Sequence, residues 1–211
     1  MVPYTILSNK PWRGGIDFKT SAARLAHFET FIALVRDRDT GSVHVDPDTG
    51  RPRVHYTPSA FDRAHALEGI LALCRLCHAS GAREIHPFLP EVEPFIRQVA
   101  KKNNDDDKEE ESRAVPDLAF EAWLDGVRAV GSRTIAHSPF ASAHQMGSCR
   151  MGSHPGEGVV DGRGRAWEAR SLFVADASVF PSASGVNPMV TNMAIADWIA
   201  RGVAKELAKG E

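Results

Sequence analysis

The chain has 211 residues, 43% of them apolar and 25% charged, with a formal net charge of −2. That length suits one good-sized domain or a portion of a larger protein, and the composition is that of a globular protein. The slight negative charge leaves no basic stripe to track phosphates, so no nucleic-acid partner is expected. Cys74, Cys77 and Cys149 form an odd set, which fits reduced thiols of an intracellular compartment better than a disulfide scaffold. The opening Met1–Lys10 stretch has neither a basic leader nor a sustained apolar core, so no signal peptide is expected. No apolar run approaches the roughly 20 residues that span a bilayer.

Along the chain, the first element is a helix ending near His27. Leu25, Phe28, Ile32 and Val35 share one helical face, so a helix running on to residue 36 competes with this reading. The preferred reading places strand after His27. Phe31–Val35 is an apolar, partly β-branched run that stops at the Arg36–Gly41 turn; Val43–Val45 returns, Asp46–Gly50 turns again, and Arg53–Tyr56 makes a third strand. Ser59–Ala79 reads as a helix, with Pro58 at its entry, an apolar stripe of Ala64, Leu67, Ile70, Leu71, Cys74 and Cys77, and Gly81 as the stop. The C-x-x-C spacing of Cys74 and Cys77 lies on that stripe with no second pair, so it reads as packing in preference to a zinc or redox site.

Two more helices are expected over Glu91–Lys102 and Pro116–Val130. Between them, at about 101–115, Lys101–Ser112 is so polar that it cannot bury enough apolar area to order itself, and an exposed, disordered loop is expected. Beyond Arg133 glycine-rich loops dominate. Gly162–Ala166 mimics part of a dinucleotide-binding glycine pattern, but it opens no apolar helix and reads as a hairpin turn. Leu172–Ala175 is expected to be a short buried strand and Met189–Leu207 an amphipathic helix. The nine histidines are scattered, with no H-E-x-x-H spacing, so no metal site is expected.

Three segments of the last third carry the chemical interest: His144-Gln-Met-Gly-Ser-Cys-Arg-Met-Gly152, Leu172-Phe-Val-Ala-Asp-Ala-Ser178 and Gly185-Val-Asn-Pro-Met-Val-Thr191. A histidine has a pKa near working pH and can take a proton, although a lone histidine is more often a surface or structural residue. Asp176 ends an apolar strand, a common position for an acid. Pro188 suits the first turn of a helix, so Asn187 falls where an N-cap would. Glycines 147, 152 and 185 permit tight turns.

In this order and spacing the three segments resemble the carboxy-terminal signature of the glucose-methanol-choline (GMC) family of FAD-dependent alcohol oxidoreductases. The wording H-Q-M-G-S-C-R-M-G is most similar to the long-chain (fatty) alcohol oxidase branch. The resemblance runs from about Trp12-Arg-Gly-Gly15 to the end. It implies an α+β or α/β carboxy-terminal portion of a two-domain flavoprotein, with residues 1–140 belonging to a substrate domain and 141–211 completing the flavin domain and active site. It also implies FAD-dependent oxidation of a primary, long-chain alcohol to an aldehyde, with oxygen as acceptor. His144 would be the general base and Asn187 the partner of the alcohol oxygen. Asp176, Ala177, Asn187, Pro188 and Met189 would lie against the cofactor, with the helix amino terminus favouring negative charge at the flavin's pyrimidine end.

Three alternatives stay open: another GMC alcohol dehydrogenase or oxidase, a choline- or sterol-type relative, and a truncated, non-catalytic product without flavin. A choline substrate would ask for an aromatic cage, and the four Trp and two Tyr are not clustered. A strand followed by G-x-G-x-x-G and a helix, which would grip the FAD pyrophosphate, is absent from this sequence. The chain by itself is therefore expected neither to retain FAD nor to oxidise alcohols, and an amino-terminal FAD-binding chain is an expected partner. The resemblance also leaves room for membrane or organelle association.

Overall fold

The computed structural model describes residues 12–89, 91–98, 117–133 and 142–210. Its elements are helix α1 (Gly15–Ala23), a 3-10 turn (Leu25–His27), strands β1 (Ser42–Val45) and β2 (Pro52–His55), helix α2 (Ala60–Ala79), strands β3 (Glu84–Ile85) and β4 (Phe95–Ile96), helix α3 (Leu118–Gly131), a 3-10 turn (Ala177–Val179) and helix α4 (Met189–Lys209). The result is a mixture of helices with two small antiparallel sheets, β1–β2 and β3–β4. The chain divides into two compact units, Met1–Ala33 with Arg63–Phe140, and Leu34–Asp62 with Ala141–Glu211. Residues 34–62 thus cluster with residues 141–211.

In the first unit, α2 and α3 form because each carries apolar residues at helical spacing. Leu67, Leu71 and Cys74 of α2 meet Phe120, Leu124 and Val127 of α3, and Ile85, Leu89, Val92 and Phe95 complete this core. A side chain of leucine size contributes about 1.5–3 kcal/mol when fully buried. Asp117 caps α3, accepting the Phe120 N–H at 3.0 Å and lying 3.1 Å from His78 Nε2. These two contacts, the Phe120 N–H first, hold its carboxyl below the usual range. Cys74 sits inside the core, where burial pushes its thiol up to about 11, so it serves packing and is a poor nucleophile.

Two helix and strand expectations fail here. Glu91–Lys102 is not a helix over its described residues: residues 91 and 92 form a turn and Phe95–Ile96 pairs with Glu84–Ile85. Pro94 has no N–H to give a helix, and Phe95 is drawn into an aromatic cluster with His78, Phe120 and Trp123, the last donating its indole N–H to the Glu93 carbonyl at 2.8 Å. Phe31–Val35 makes no ladder; the chain passes there from the first unit to the second, and Phe31, Ile32 and Leu34 are exposed. The helix before it ends at Ala23, and a separate 3-10 turn runs to His27, near which the helix was expected to end. The acidic run of residues 101–115 lies outside the described residues.

In the second unit, the β1–β2 hairpin keeps the expected strands and turn, with Val43 opposite Val54. A smaller core forms from Val160, Val179 and Ile199, with Met151, Ala166, Val174, Ile195 and Val203 packed around it. Gly162–Ala166 is the expected turn, closed by an antiparallel bridge between Val160 and Ala166 and a Gly164 N–H bond to Asp161 O at 3.0 Å. Leu172–Ala175 is not the buried strand its apolar run suggests. It makes one bridge, Arg165 to Phe173, and Leu172 stays 51% exposed. Ser171 at φ 57 bounds the run on one side and the Asp176 cap on the other.

Candidate active site

The His144 motif is laid along the Asp176 motif by backbone hydrogen bonds. The N–H groups of Gly147, Cys149 and Met151 donate to the carbonyls of Ala177, Ser178 and Val179 at 3.2, 2.9 and 2.9 Å. Gly147 makes this possible: its φ is +81°, and a Cβ there would stand 3.2 Å from the Phe180 carbonyl. His144 lies three residues upstream on a loop, exposed, with no hydrogen-bond partner among the described residues. Its neighbour Gln145 turns back to Ser142, donating to its carbonyl at 2.9 Å.

Asp176 is committed locally. Its carboxylate caps the Ala177–Val179 turn, accepting the Ser178 hydroxyl at 2.5 Å and the Ser178 N–H at 2.8 Å, and these bonds hold its pKa below the usual carboxylate value. Ala177 is half-buried beside it. The turn delivers Val179 into the core that Ile195, Ile199 and Val203 of α4 also enter, together with Met151 and Val174. Residues from all three motif segments, or from the helix the third one starts, therefore share one apolar centre.

Asn187 differs from the capping residue its sequence context suggests. Helix α4 begins at Met189 with Pro188 in the N-cap position (φ −85°, ψ −3°) and no side-chain cap bond, so Asn187 stands one residue outside. The first helical bond, Asn192 N–H to Pro188 O at 2.7 Å, shows why: the proline carbonyl already accepts. The Asn187 side chain is exposed and uncommitted among the described residues. At the helix start the N–H groups of Met189, Val190 and Thr191 have no intrahelical acceptor. No acidic residue occupies the first turn. Met189 and Val190 are 69% and 73% exposed, and the buried Asn192 Oδ1 has no hydrogen-bond partner.

Residues 37–196 match the GMC oxidoreductase family over its carboxy-terminal domain. The chain belongs to the GMC oxidoreductases. This GMC segment is 35% identical to the long-chain-alcohol oxidase FAO3 of Arabidopsis thaliana over 95% of its own length and 24% of that protein's. To FAO1 of the same plant it is 32% identical, over 98% of this chain and 25% of the other. Paromamine 6'-oxidase of Streptomyces fradiae is 41% identical over 38% of this chain and 16% of its own. Among solved structures, pyridoxine 4-oxidase from Mesorbium loti aligns over 80% of this chain and 28% of its own, with a TM-score of 0.47 and 23% identity. The chain thus spans about a quarter of the length of the long-chain-alcohol oxidases it matches. The GMC family uses FAD. Among the described residues no helix is long and apolar enough to cross a membrane, and no group of three or more His, Cys, Asp and Glu is placed to hold a metal.

Sequence reasoning missed two residues that hold the site's loops. Arg36 reaches the Ser182–Gly185 loop, and Asp62 anchors the chain beside Arg36. Neither carries a motif; the one available hint was the charge-dense Arg36–Asp39 run that breaks an apolar stretch.

Proposed function

We propose that this segment belongs to an FAD-dependent oxidase of primary, long-chain alcohols, with His144 as general base and Asn187 as partner of the alcohol oxygen. The observation that carries the reading is the joining of the three motif segments around one small core, which leaves His144 and Asn187 with side chains free for a ligand. The first turn of α4 fits the N–H and carbonyl edge of a flavin. Three backbone donors and no competing carboxylate in the first turn suit the carbonyl oxygens of such an edge. Met189 and Pro188 would lie against the ring, and Asp176 and Ala177 would hold the neighbouring backbone in place. FAD, when bound, takes the two electrons the alcohol gives up.

The chain's own contribution is a proton and a position. His144 Nε2 or Nδ1 takes the hydroxyl proton as the carbon–hydrogen bond weakens, and Asn187 fixes the alcohol oxygen through its amide. The homology to long-chain-alcohol oxidases is what supports an aliphatic substrate.

The test is hexadecanol-dependent peroxide formation by a flavin-loaded preparation, with glucose and choline as competitors. Co-expression with an amino-terminal FAD-binding chain supplies flavin if the purified chain shows no flavin absorption. Peroxide with hexadecanol alone supports the reading. Equal or faster turnover of the sugar or of choline removes the long-chain assignment.

A further inference from the structure

The loop that carries Asn187 is held from outside by a side chain no motif contains. Arg36 donates from Nε to the Ala183 carbonyl at 3.0 Å and from a terminal guanidinium nitrogen to the Ser182 hydroxyl at 3.2 Å. Its aliphatic stem lies on Gly185, where a Cβ would come 2.9 Å from Arg36 Cβ, 3.4 Å from Cγ and 3.5 Å from Cδ. Gly185 also has φ +69°, so the position excludes a side chain twice, by backbone geometry and by contact. Inside the loop, Ser184 Oγ donates to the Val186 carbonyl at 2.6 Å. The loop is thereby gripped at Ser182, Ala183 and Gly185, directly before Asn187.

Arg36 itself stands on a fixed base. The buried Asp62 carboxylate accepts the backbone N–H of Arg38 at 3.0 Å and of Asp39 at 3.3 Å, and the Ser59 hydroxyl at 3.0 Å. Residues 36–39 form no strand, and these bonds, with the Tyr56 hydroxyl donating to the Asp37 carboxylate at 2.5 Å and Arg38 over the Phe61 ring, hold their path. No carboxylate pairs with the Arg36 guanidinium among the described residues; its bonds go to two neutral acceptors of the loop, served by separate nitrogens of the planar fork.

The geometry points to Arg36 as the positioning residue for Asn187: it sets the loop so that the Asn187 amide meets the alcohol oxygen. This rests on the role given to Asn187 above. Positioning of this kind acts on the transition state, so its loss lowers kcat more than it raises KM.

The experiment joins backbone amide NMR relaxation on the full chain to rapid flavin-reduction kinetics in the flavin-loaded form, for Arg36→Met, Arg36→Lys, Asn187→Ala and the double variant Arg36→Met/Asn187→Ala. Arg36→Met keeps the stem and removes both hydrogen bonds. Backbone amide order parameters across residues 182–187 are expected to fall from the rigid value of about 0.85 toward about 0.6 while those of α3 are unchanged, with partial restoration by lysine. Flavin reduction is expected to slow with KM little altered, and Arg36→Met is expected to add nothing once Asn187 is alanine. Unchanged order parameters in Arg36→Met overturn the clamp. Full additivity with Asn187→Ala, or normal reduction in Arg36→Met when Asn187→Ala is slow, overturns the positioning role. If Asn187→Ala itself reduces flavin at the normal rate, the catalytic role of Asn187 is what has failed, and the positioning role falls with it while the order parameters still decide the clamp.

Discussion

The Gly147 N–H bonds the Ala177 carbonyl at 3.2 Å, and this contact is the hinge between the segment that carries His144 and the segment that ends in Asp176. It begins a run of three such bonds that ends at Met151 and Val179, both of which contribute side chains to the second core. The candidate base therefore hangs from a loop whose far end is fixed by backbone pairing and apolar packing, while the imidazole itself stays exposed.

That exposure separates chemistry from stability at His144. His144→Ala is expected to lower turnover of the flavin-loaded form at least ~10²-fold, the usual size for a lost general base. The thermal midpoint should not move, because the ring bonds to no described residue. Steady-state kinetics beside a melting curve checks both; unchanged turnover in a flavin-loaded variant removes His144 from the mechanism.

Asn187→Ala should separate reduction from binding. The backbone donors at the start of α4 survive the change, and the side chain caps nothing, so flavin affinity and folding are expected to hold while flavin reduction slows. Flavin titration and stopped-flow absorbance read the two quantities. Loss of flavin with normal residual kinetics would assign Asn187 to structure instead.

The first core gives a prediction independent of catalysis. Leu71 is fully buried among α2 and α3 side chains, so Leu71→Ala is expected to destabilise this unit by ~2–5 kcal/mol. Urea unfolding followed by tryptophan fluorescence suits the test, since Trp123 packs on Phe95 and Phe120 in the same unit. A change below the size of an ordinary surface substitution would mean that this core does not form as described.

Acid should loosen the base on which Arg36 stands. Burial alone would raise the Asp62 pKa, but the Arg38 N–H, the Ser59 hydroxyl and the Asp39 N–H together hold it below the ordinary 3.8. A depressed carboxylate stabilises the fold above its unfolded pKa and loses that contribution as pH falls through the folded value. The gap in thermal midpoint between the wild type and Asp62→Asn should therefore be widest near neutral pH and close as pH drops below about 3.8. A gap that is constant across that window excludes the charge as its source.

Elements whose causes are local were legible from the residues alone. Ser59 before the α2 stripe, the glycine and proline turns of the β1–β2 hairpin, and the apolar spacing of α3 and α4 act within a few residues, and each of these elements stands close to its expected bounds. The order of the three motif segments was equally legible, and the family it suggested is the one the chain belongs to. Tertiary structure decided the rest. Phe31–Val35 and Leu172–Ala175 have strand-like composition, but a strand needs a partner edge, and composition does not say whether one arrives. Phe95 left its expected helix for an aromatic cluster with α2 and α3 partners, and Asn187 yielded the cap to Pro188. Arg36 was invisible for the same reason: its meaning lies in Ser182, Ala183 and Gly185, residues far along the chain that only folding brings to it.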